Sequence, residues 1–222
     1  MTERTVFILA AGEGKRWHQG QEWPTDLPKQ LLPVAGKPII QRTIDMVRWH
    51  DYMPVIVTHH EAIIDTLDND IDVCYPTGRR WLIETLNSTQ HLWTDINVAL
   101  WSDVIYSNTV IDLMLTDGRS PVFYGRWGDG YGLVWRKDDQ RFMDGLKAVL
   151  EDAEVFADCD MPVGRNWELY RWFMGHNLRY HYGPTASNKI YEFVSHDDYT
   201  CDVDTPEDWQ RVQETILEQL KI

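Results

Sequence analysis

Leu9-Ala-Ala-Gly-Glu-Gly-Lys-Arg16 follows directly on Thr5-Val-Phe-Ile-Leu-Ala10, and this junction decides the fold. The first run is apolar on consecutive positions, which suits a strand buried on both faces, as in a parallel sheet. Gly12 and Gly14 then allow backbone dihedrals that other residues resist, and they let amide N–H groups come close to a ligand. A row of such amides makes a nest for anionic oxygens. Arg16 adds a planar fork for phosphate. Lys29, in Leu27-Pro-Lys-Gln30, supplies a second cation. The bland alternatives are a plain turn for the glycines and solvated surface charges for Arg16 and Lys29. Neither common phosphate motif fits. The dinucleotide fingerprint wants a third glycine where this chain has Trp17, and a P-loop needs Gly-Lys-Ser/Thr.

Outward from this junction, strand and helix alternate. A polar loop runs to about Asp26. Pro38 is placed to open a helix with Ile40, Ile44 and Val47 as its apolar stripe. Strands are predicted around 54–58, 71–74 and 97–101, and helices around 61–67, 81–93 and 109–115. This order predicts βαβ units and a mostly parallel sheet with helices on both faces. The second half is less regular: strands at 121–125 and 132–136, for which an antiparallel course is open, helices at 138–150 and 167–174, and a late strand at 189–195. Thr205-Pro-Glu-Asp208 combines an N-cap hydroxyl, proline at the first helical position and acids in the first turn. Trp209, Val212, Ile216 and Leu220 give the last helix one apolar face.

The 222 residues, with no internal repeat or Pro/Gly/Ser-rich linker, are expected to form one domain over residues 1–222. With 35 acidic against 21 basic residues the net charge is −14. That charge repels phosphate backbones and anionic bilayers, which argues against nucleic acid and membrane as partners. No apolar stretch approaches the ~20 residues of a membrane span. Cys74, Cys159 and Cys201 form neither a zinc spacing nor a disulfide framework, so the expected compartment is the reducing cytoplasm. Oligomeric state is not visible.

Leu9-Ala-Ala-Gly-Glu-Gly-Lys-Arg16 together with Leu27-Pro-Lys-Gln-Leu-Leu-Pro-Val-Ala-Gly-Lys-Pro-Ile-Ile40 closely resembles the sugar-phosphate nucleotidyltransferase family, whose relatives include the cytidylyltransferases of isoprenoid and choline-phosphate metabolism. Trp101-Ser-Asp103-Val resembles the family's Gly-Asp-Val, and Asp202-Val-Asp204-Thr-Pro-Glu-Asp208 its C-terminal aspartate motif. The resemblance implies a Rossmann-like three-layer α/β sandwich around a mostly parallel mixed sheet, the nucleotide-diphospho-sugar transferase fold. It implies an NTP, with CTP or UTP favoured, and a phosphomonoester acceptor. Carried over, Leu9, Ala10, Ala11, Gly12, Glu13, Gly14, Lys15 and Arg16 hold the nucleotide phosphates. Lys29 neutralises charge on the reacting phosphate, and Arg16 and Lys29 are the catalytic cations. Asp103 and Asp204 bind Mg²⁺, with Asp202 as a possible helper. Thr85 stands where relatives carry a serine near the nucleotide. Two departures are Ser102, where the family has glycine, and the loosely matched stretch Pro76-Thr-Gly-Arg79-Arg80-Trp-Leu-Ile-Glu-Thr85-Leu. Both would bear on the acceptor side of the pocket.

The implied chemistry brings two anions together, so it needs positioning and charge cancellation more than proton transfer. Mg²⁺ needs only one or two carboxylates besides water and phosphate oxygens. In an acidic chain the local cations carry extra weight. Other readings stay open: Asp103 as a turn cap, Asp202 or Asp204 as an electrostatic cap of the last helix, and Arg79 and Arg80 as an acceptor grip or loop decoration. His59-His60 is expected at a strand-end surface, Asp197-Asp198 in a solvated turn, and most tryptophans in packing. Two other functions compete: a glycosyltransferase using Asp202-Val-Asp204 as its metal motif, and a nucleotide-binding module without catalysis. The chain closing on its capped helix sets the expectation of no appended domain.

Overall fold

A computed structural model describes residues 2–12, 27–78, 81–126, 129–155, 166–175, 193–195 and 198–219. Its first half holds β1 (Arg4–Leu9), β2 (Pro33–Val34), β3 (Lys37–Pro38), α1 (Ile39–Trp49), β4 (Pro54–Val57), α2 (Glu61–Ile64), β5 (Asp72–Cys74) and α3 (Leu82–Asn87). There follow β6 (Ile96–Trp101), β7 (Val104–Ile105), α4 (Asn108–Thr116), β8 (Val122–Arg126) and β9 (Asp129–Arg136). The chain continues with α5 (Gln140–Val155), α6 (Asn166–Phe173), β10 (Phe193–Ser195), β11 (Cys201–Asp202) and α7 (Pro206–Gln219).

The main sheet among the described residues has seven strands in the order β10-β8-β9-β6-β1-β4-β5. The pairs β1–β4, β1–β6, β4–β5 and β8–β10 are parallel, whereas β9 runs antiparallel to both β6 and β8. The expected mixed, mostly parallel α/β sheet is what forms. Because β9 is reversed, the carboxyl ends of β1, β4, β6 and β8 share one edge.

Side-chain alternation shows the two covered faces. Arg4 donates to the carbonyls of Met114 and Asp117, and the Tyr124 hydroxyl lies 2.6 Å from Asp117 Oδ2, so this face meets the end of α4. Phe7 stacks on Trp135 and Trp135 on Phe142 of α5, whereas Phe123 meets Tyr170 of α6 edge-on and Phe173 at a tilt. Val6, Phe7 and Ile8 are fully buried, each stabilising the fold by about 1.5–3 kcal/mol. Gly132 marks a close approach. A Cβ there would come within 2.5 Å of the Ala99 carbonyl oxygen and into the Met114 side chain.

Several boundaries move. Pro38 precedes α1 with φ −53° and ψ 144°, so the helix begins at Ile39. Pro38 instead pairs with Pro33 in the β2–β3 hairpin, whose turn carries positive φ at both Ala35 (49°) and Gly36 (79°), the signature of a type I′ turn. The expected helix 81–93 stops at Asn87. Ser88 and Thr89 turn their hydroxyls back onto the Thr85 and Leu86 carbonyls, and a short 3₁₀ turn, Gln90–Leu92, follows. Side-chain competition for backbone acceptors ends the helix there. The start of α7 is as expected. Thr205 Oγ1 accepts from Asp208 N–H, and Asp208 Oδ2 accepts from Thr205 N–H, a reciprocal cap.

Candidate active site

The site forms at the carboxyl edge of β1 and β6. After β6 the chain turns through Ser102 and Asp103 into β7, which pairs antiparallel with β11, Ile105 opposite Cys201 and Val104 opposite Asp202. One further bond, Val203 N–H to the Asp103 carbonyl at 2.8 Å, extends this ribbon. It places Asp103 beside Asp204, residues from opposite halves of the chain. The ribbon is tied down by Tyr106, whose hydroxyl accepts from Trp101 N–H at 2.7 Å and donates to the Tyr131 carbonyl at 2.5 Å. Thr200 Oγ1 accepts from Ser107 N–H, and Asp198 accepts from Ser107 Oγ and Thr200 N–H. Asp198 is therefore a structural acceptor rather than part of a solvated turn.

Lys29 completes the centre. It opens a short 3₁₀ turn, Lys29–Leu31, and is only 8% exposed. Its Nζ lies 2.7 Å from Asp103 Oδ2, 3.0 Å from Asp204 Oδ1 and 3.0 Å from the Val203 carbonyl oxygen. An ammonium has three N–H donors, and these are three acceptors. Burial lowers the Lys29 pKa, but the two carboxylates outweigh it and raise the group above its ordinary value. Lys29 is thus charged at neutral pH. Its contribution to stability is present below the ordinary lysine range and is lost as pH rises beyond it.

The entry to the glycine loop is pinned beside this centre. Ala10 N–H donates to the Val57 carbonyl at 2.8 Å, the Thr58 hydroxyl donates to the Ala10 carbonyl at 2.8 Å, and Ser102 N–H donates to the Leu9 carbonyl at 3.3 Å. His60 Nε2 lies 3.1 Å from the Gly12 carbonyl oxygen. Leu9, Ala10 and Ala11 are buried, and among the described residues nothing lies within 4 Å of a Cβ built on Gly12. Glu13, Gly14, Lys15 and Arg16 lie outside the described residues, as do Arg79, Arg80, Trp127 and Cys159.

Of the expected site residues, Lys29, Asp103 and Asp204 are thus brought into contact, with Leu9 joined to Ser102 through the backbone. Asp202 is half-buried in β11 opposite Val104. Thr85 is buried within α3, its hydroxyl turned toward the Trp81 carbonyl at 3.4 Å. Ser102 is buried as well. Thr58 and His60 were not expected at the site. A hydroxyl closing the apolar run 54–58 was the available signal.

Two carboxylates facing one another across a single cation suit Mg²⁺, which takes hard oxygen ligands and completes its shell with water and phosphate. Among the described residues no group of three or more His, Cys, Asp or Glu side chains forms a metal cage.

Comparison with known proteins bears on the first half of the chain and on the fold. Residues 6–92 match the family model of the MobA-like NTP transferase domain. The family resemblance carried by the motifs at 9–16 and 27–40 is thereby borne out. The match to NTP transferases takes in the glycine loop, Lys29 and α3. A 43-residue stretch is 51% identical to the bifunctional protein GlmU of Dechloromonas aromatica, covering 19% of this chain and 8% of that one. Over 55 residues it is 40% identical to the 2-C-methyl-D-erythritol 4-phosphate cytidylyltransferase of Bacteroides thetaiotaomicron, covering 25% of this chain and 22% of the relative. The matched segments thus span less than a quarter of these relatives' lengths. The fold extends further. A protein of Bacillus anthracis assigned as a glucose-1-phosphate thymidylyltransferase superposes with a TM-score of 0.66 at 12% identity, over 96% of this chain and 95% of that one. The CTP:phosphocholine cytidylyltransferase of Streptococcus pneumoniae gives 0.58 at 13% identity, over 97% and 100%.

Proposed function

We propose that the protein is a Mg²⁺-dependent nucleotidyltransferase, moving a nucleoside monophosphate from an NTP to a phosphorylated small molecule such as a sugar phosphate. The observation that carries this reading is the meeting of Lys29, Asp103 and Asp204 at the sheet edge where Leu9–Gly12 leaves β1. The cytidylyltransferase relative supports it, and its name favours CTP as the donor, with UTP as the second nucleotide to try.

In the reaction a phosphomonoester oxygen of the acceptor bonds to the α-phosphorus. The bond from that phosphorus to the bridging oxygen breaks, and pyrophosphate leaves with the electron pair. Bound Mg²⁺ would neutralise phosphate charge and align the reacting oxygens. Asp103 and Asp204 would hold it. Lys29 has no general-base role here, because it stays protonated at neutral pH; it offers a fixed positive charge to oxygens that gain negative charge. The Thr58 and Ala10 bonds fix the exit of β1, so the backbone that follows starts from one position.

Free, buried Cys74 and Cys201 support a reducing, cytoplasmic setting, and no described helix is long and apolar enough to cross a membrane. The test is pyrophosphate release with Mg²⁺, each common NTP and a panel of phosphomonoesters. Release that requires both NTP and acceptor is expected. Turnover of sugar nucleotides alone, or nucleotide binding without turnover across the panel, would overturn the reading.

A further inference from the structure

The turn between β4 and α2 reaches across to the glycine loop with two side chains. β4 runs parallel beside β1, with Val57 opposite Leu9, so the residues that follow the two strands leave the sheet side by side. Thr58 is fully buried, and its hydroxyl donates to the Ala10 carbonyl at 2.8 Å. Two residues on, His60 Nε2 lies 3.1 Å from the Gly12 carbonyl oxygen. A carbonyl only accepts, so the proton of this bond sits on Nε2. Alternate residues of one segment thus hold alternate carbonyls of the other.

The imidazole is itself held. His60 N–H donates to the Thr58 hydroxyl at 3.1 Å, and the His60 carbonyl accepts from Ile63 and Ile64 N–H at 3.0 and 3.1 Å. Its ring centroid lies 4.2 Å from that of His59. Gly12 gains from such support, because glycine loses more backbone freedom on ordering than any other residue. A trans peptide is planar, with N–H opposite C=O. Holding the Ala10 and Gly12 carbonyls toward the start of α2 therefore fixes the planes of the peptides that leave these residues, and turns their donor sides the other way.

We propose that His60 is a positioning residue for nucleotide binding: its Nε2–H pins the Gly12 carbonyl and presets the phosphate-binding backbone before an NTP arrives. This inference rests on the nucleotidyltransferase reading above. Without the bond, the NTP must order this backbone itself, and the ordering is subtracted from its affinity. The effect falls on binding more than on the chemical step, since Lys29, Asp103 and Asp204 make their contacts without His60.

The test is binding of CTP and of UTP, each with Mg²⁺, by isothermal titration calorimetry, beside steady-state pyrophosphate release, in His60→Ala, His60→Asn and His60→Gln. Glutamine can bring an amide N–H to the place of Nε2 and carries no charge, whereas asparagine stops short of it. His60→Ala and His60→Asn should weaken NTP binding about fivefold and raise KM in step, with kcat held within twofold. His60→Gln should return affinity to within twofold of wild type. Should alanine unfold the chain in urea controls, asparagine against glutamine makes the same comparison. Long-range ¹H–¹⁵N NMR of the free protein should find the His60 proton on Nε2. Wild-type affinity in His60→Ala and His60→Asn, a loss confined to kcat, or a proton on Nδ1 with Nε2 bare would overturn the proposal. So would His60→Gln binding as weakly as His60→Ala, which would make imidazolium charge the cause. NTP binding without pyrophosphate release would fail the proposed reaction and leave this inference standing; a wild type that binds no NTP would overturn both.

Discussion

Replacing Lys29 by methionine keeps most of the side-chain volume and removes the charge. Asp103 and Asp204, 26% and 16% exposed, would then face each other with no cation between them. Removing one partner from a buried ion pair costs roughly 3–5 kcal/mol. The partial exposure of both carboxylates puts this case at the lower end, about 3 kcal/mol, or about a hundredfold in the folding equilibrium. The deficit is electrostatic, so it should shrink with Mg²⁺. If the emptied place binds the ion at about 1 mM, then ~10 mM Mg²⁺ restores about 1.4 kcal/mol. Wild type should gain less, because its own ammonium occupies the place. Urea unfolding of both proteins at pH 7, with and without Mg²⁺, reads both effects. Equal stability of the two proteins, or no extra Mg²⁺ response in Lys29→Met, would refute the reasoning.

Other consequences concern the fold around the site. Burial raises the Asp117 carboxyl, but hydrogen bonds from Arg119 and Tyr124 prevail and hold it at about 2. Its stabilisation is therefore present above the ordinary aspartate value and lost as pH falls toward 2. Tyr124→Phe should cost about 1 kcal/mol at pH 7, and the gap from wild type should narrow in unfolding curves near pH 2.5. Ala35→Asn should raise stability by roughly 0.5–1 kcal/mol in thermal unfolding, because asparagine tolerates the positive φ that alanine adopts there. Gly132→Ala should destabilise by about 1–3 kcal/mol in urea, since the new methyl meets the Ala99 carbonyl; a neutral result would mean β6 and β9 separate easily.

The legible parts of the fold were those written in local pattern. The apolar run 5–10 became the fully buried centre of β1, and Thr205-Pro-Glu-Asp208 became the reciprocal cap of α7. The illegible parts were set by tertiary partners. Two-residue strands such as β7 and β11 have no periodicity to read, yet their pairing is what joins Asp103 to Asp204. Likewise, a hydrophobic stripe reaching Trp93 said nothing of Ser88 and Thr89 turning back onto α3. At the site, residue type and motif pointed to Lys29, Asp103 and Asp204. That the lysine sits between the two aspartates could be read only from coordinates. His59-His60 looked like surface, and the contact from His60 to Gly12 depends on how β4 lies beside β1.

The proposed joint action of Asp103 and Asp204 in nucleotidyl transfer is tested most directly by acceptor-dependent pyrophosphate release from Asp103→Asn and Asp204→Asn, each with circular dichroism to confirm the fold. Both variants should lose at least a hundredfold in rate, about 2.7 kcal/mol of transition-state stabilisation, at saturating Mg²⁺. A folded variant that keeps its rate to within threefold would contradict the account.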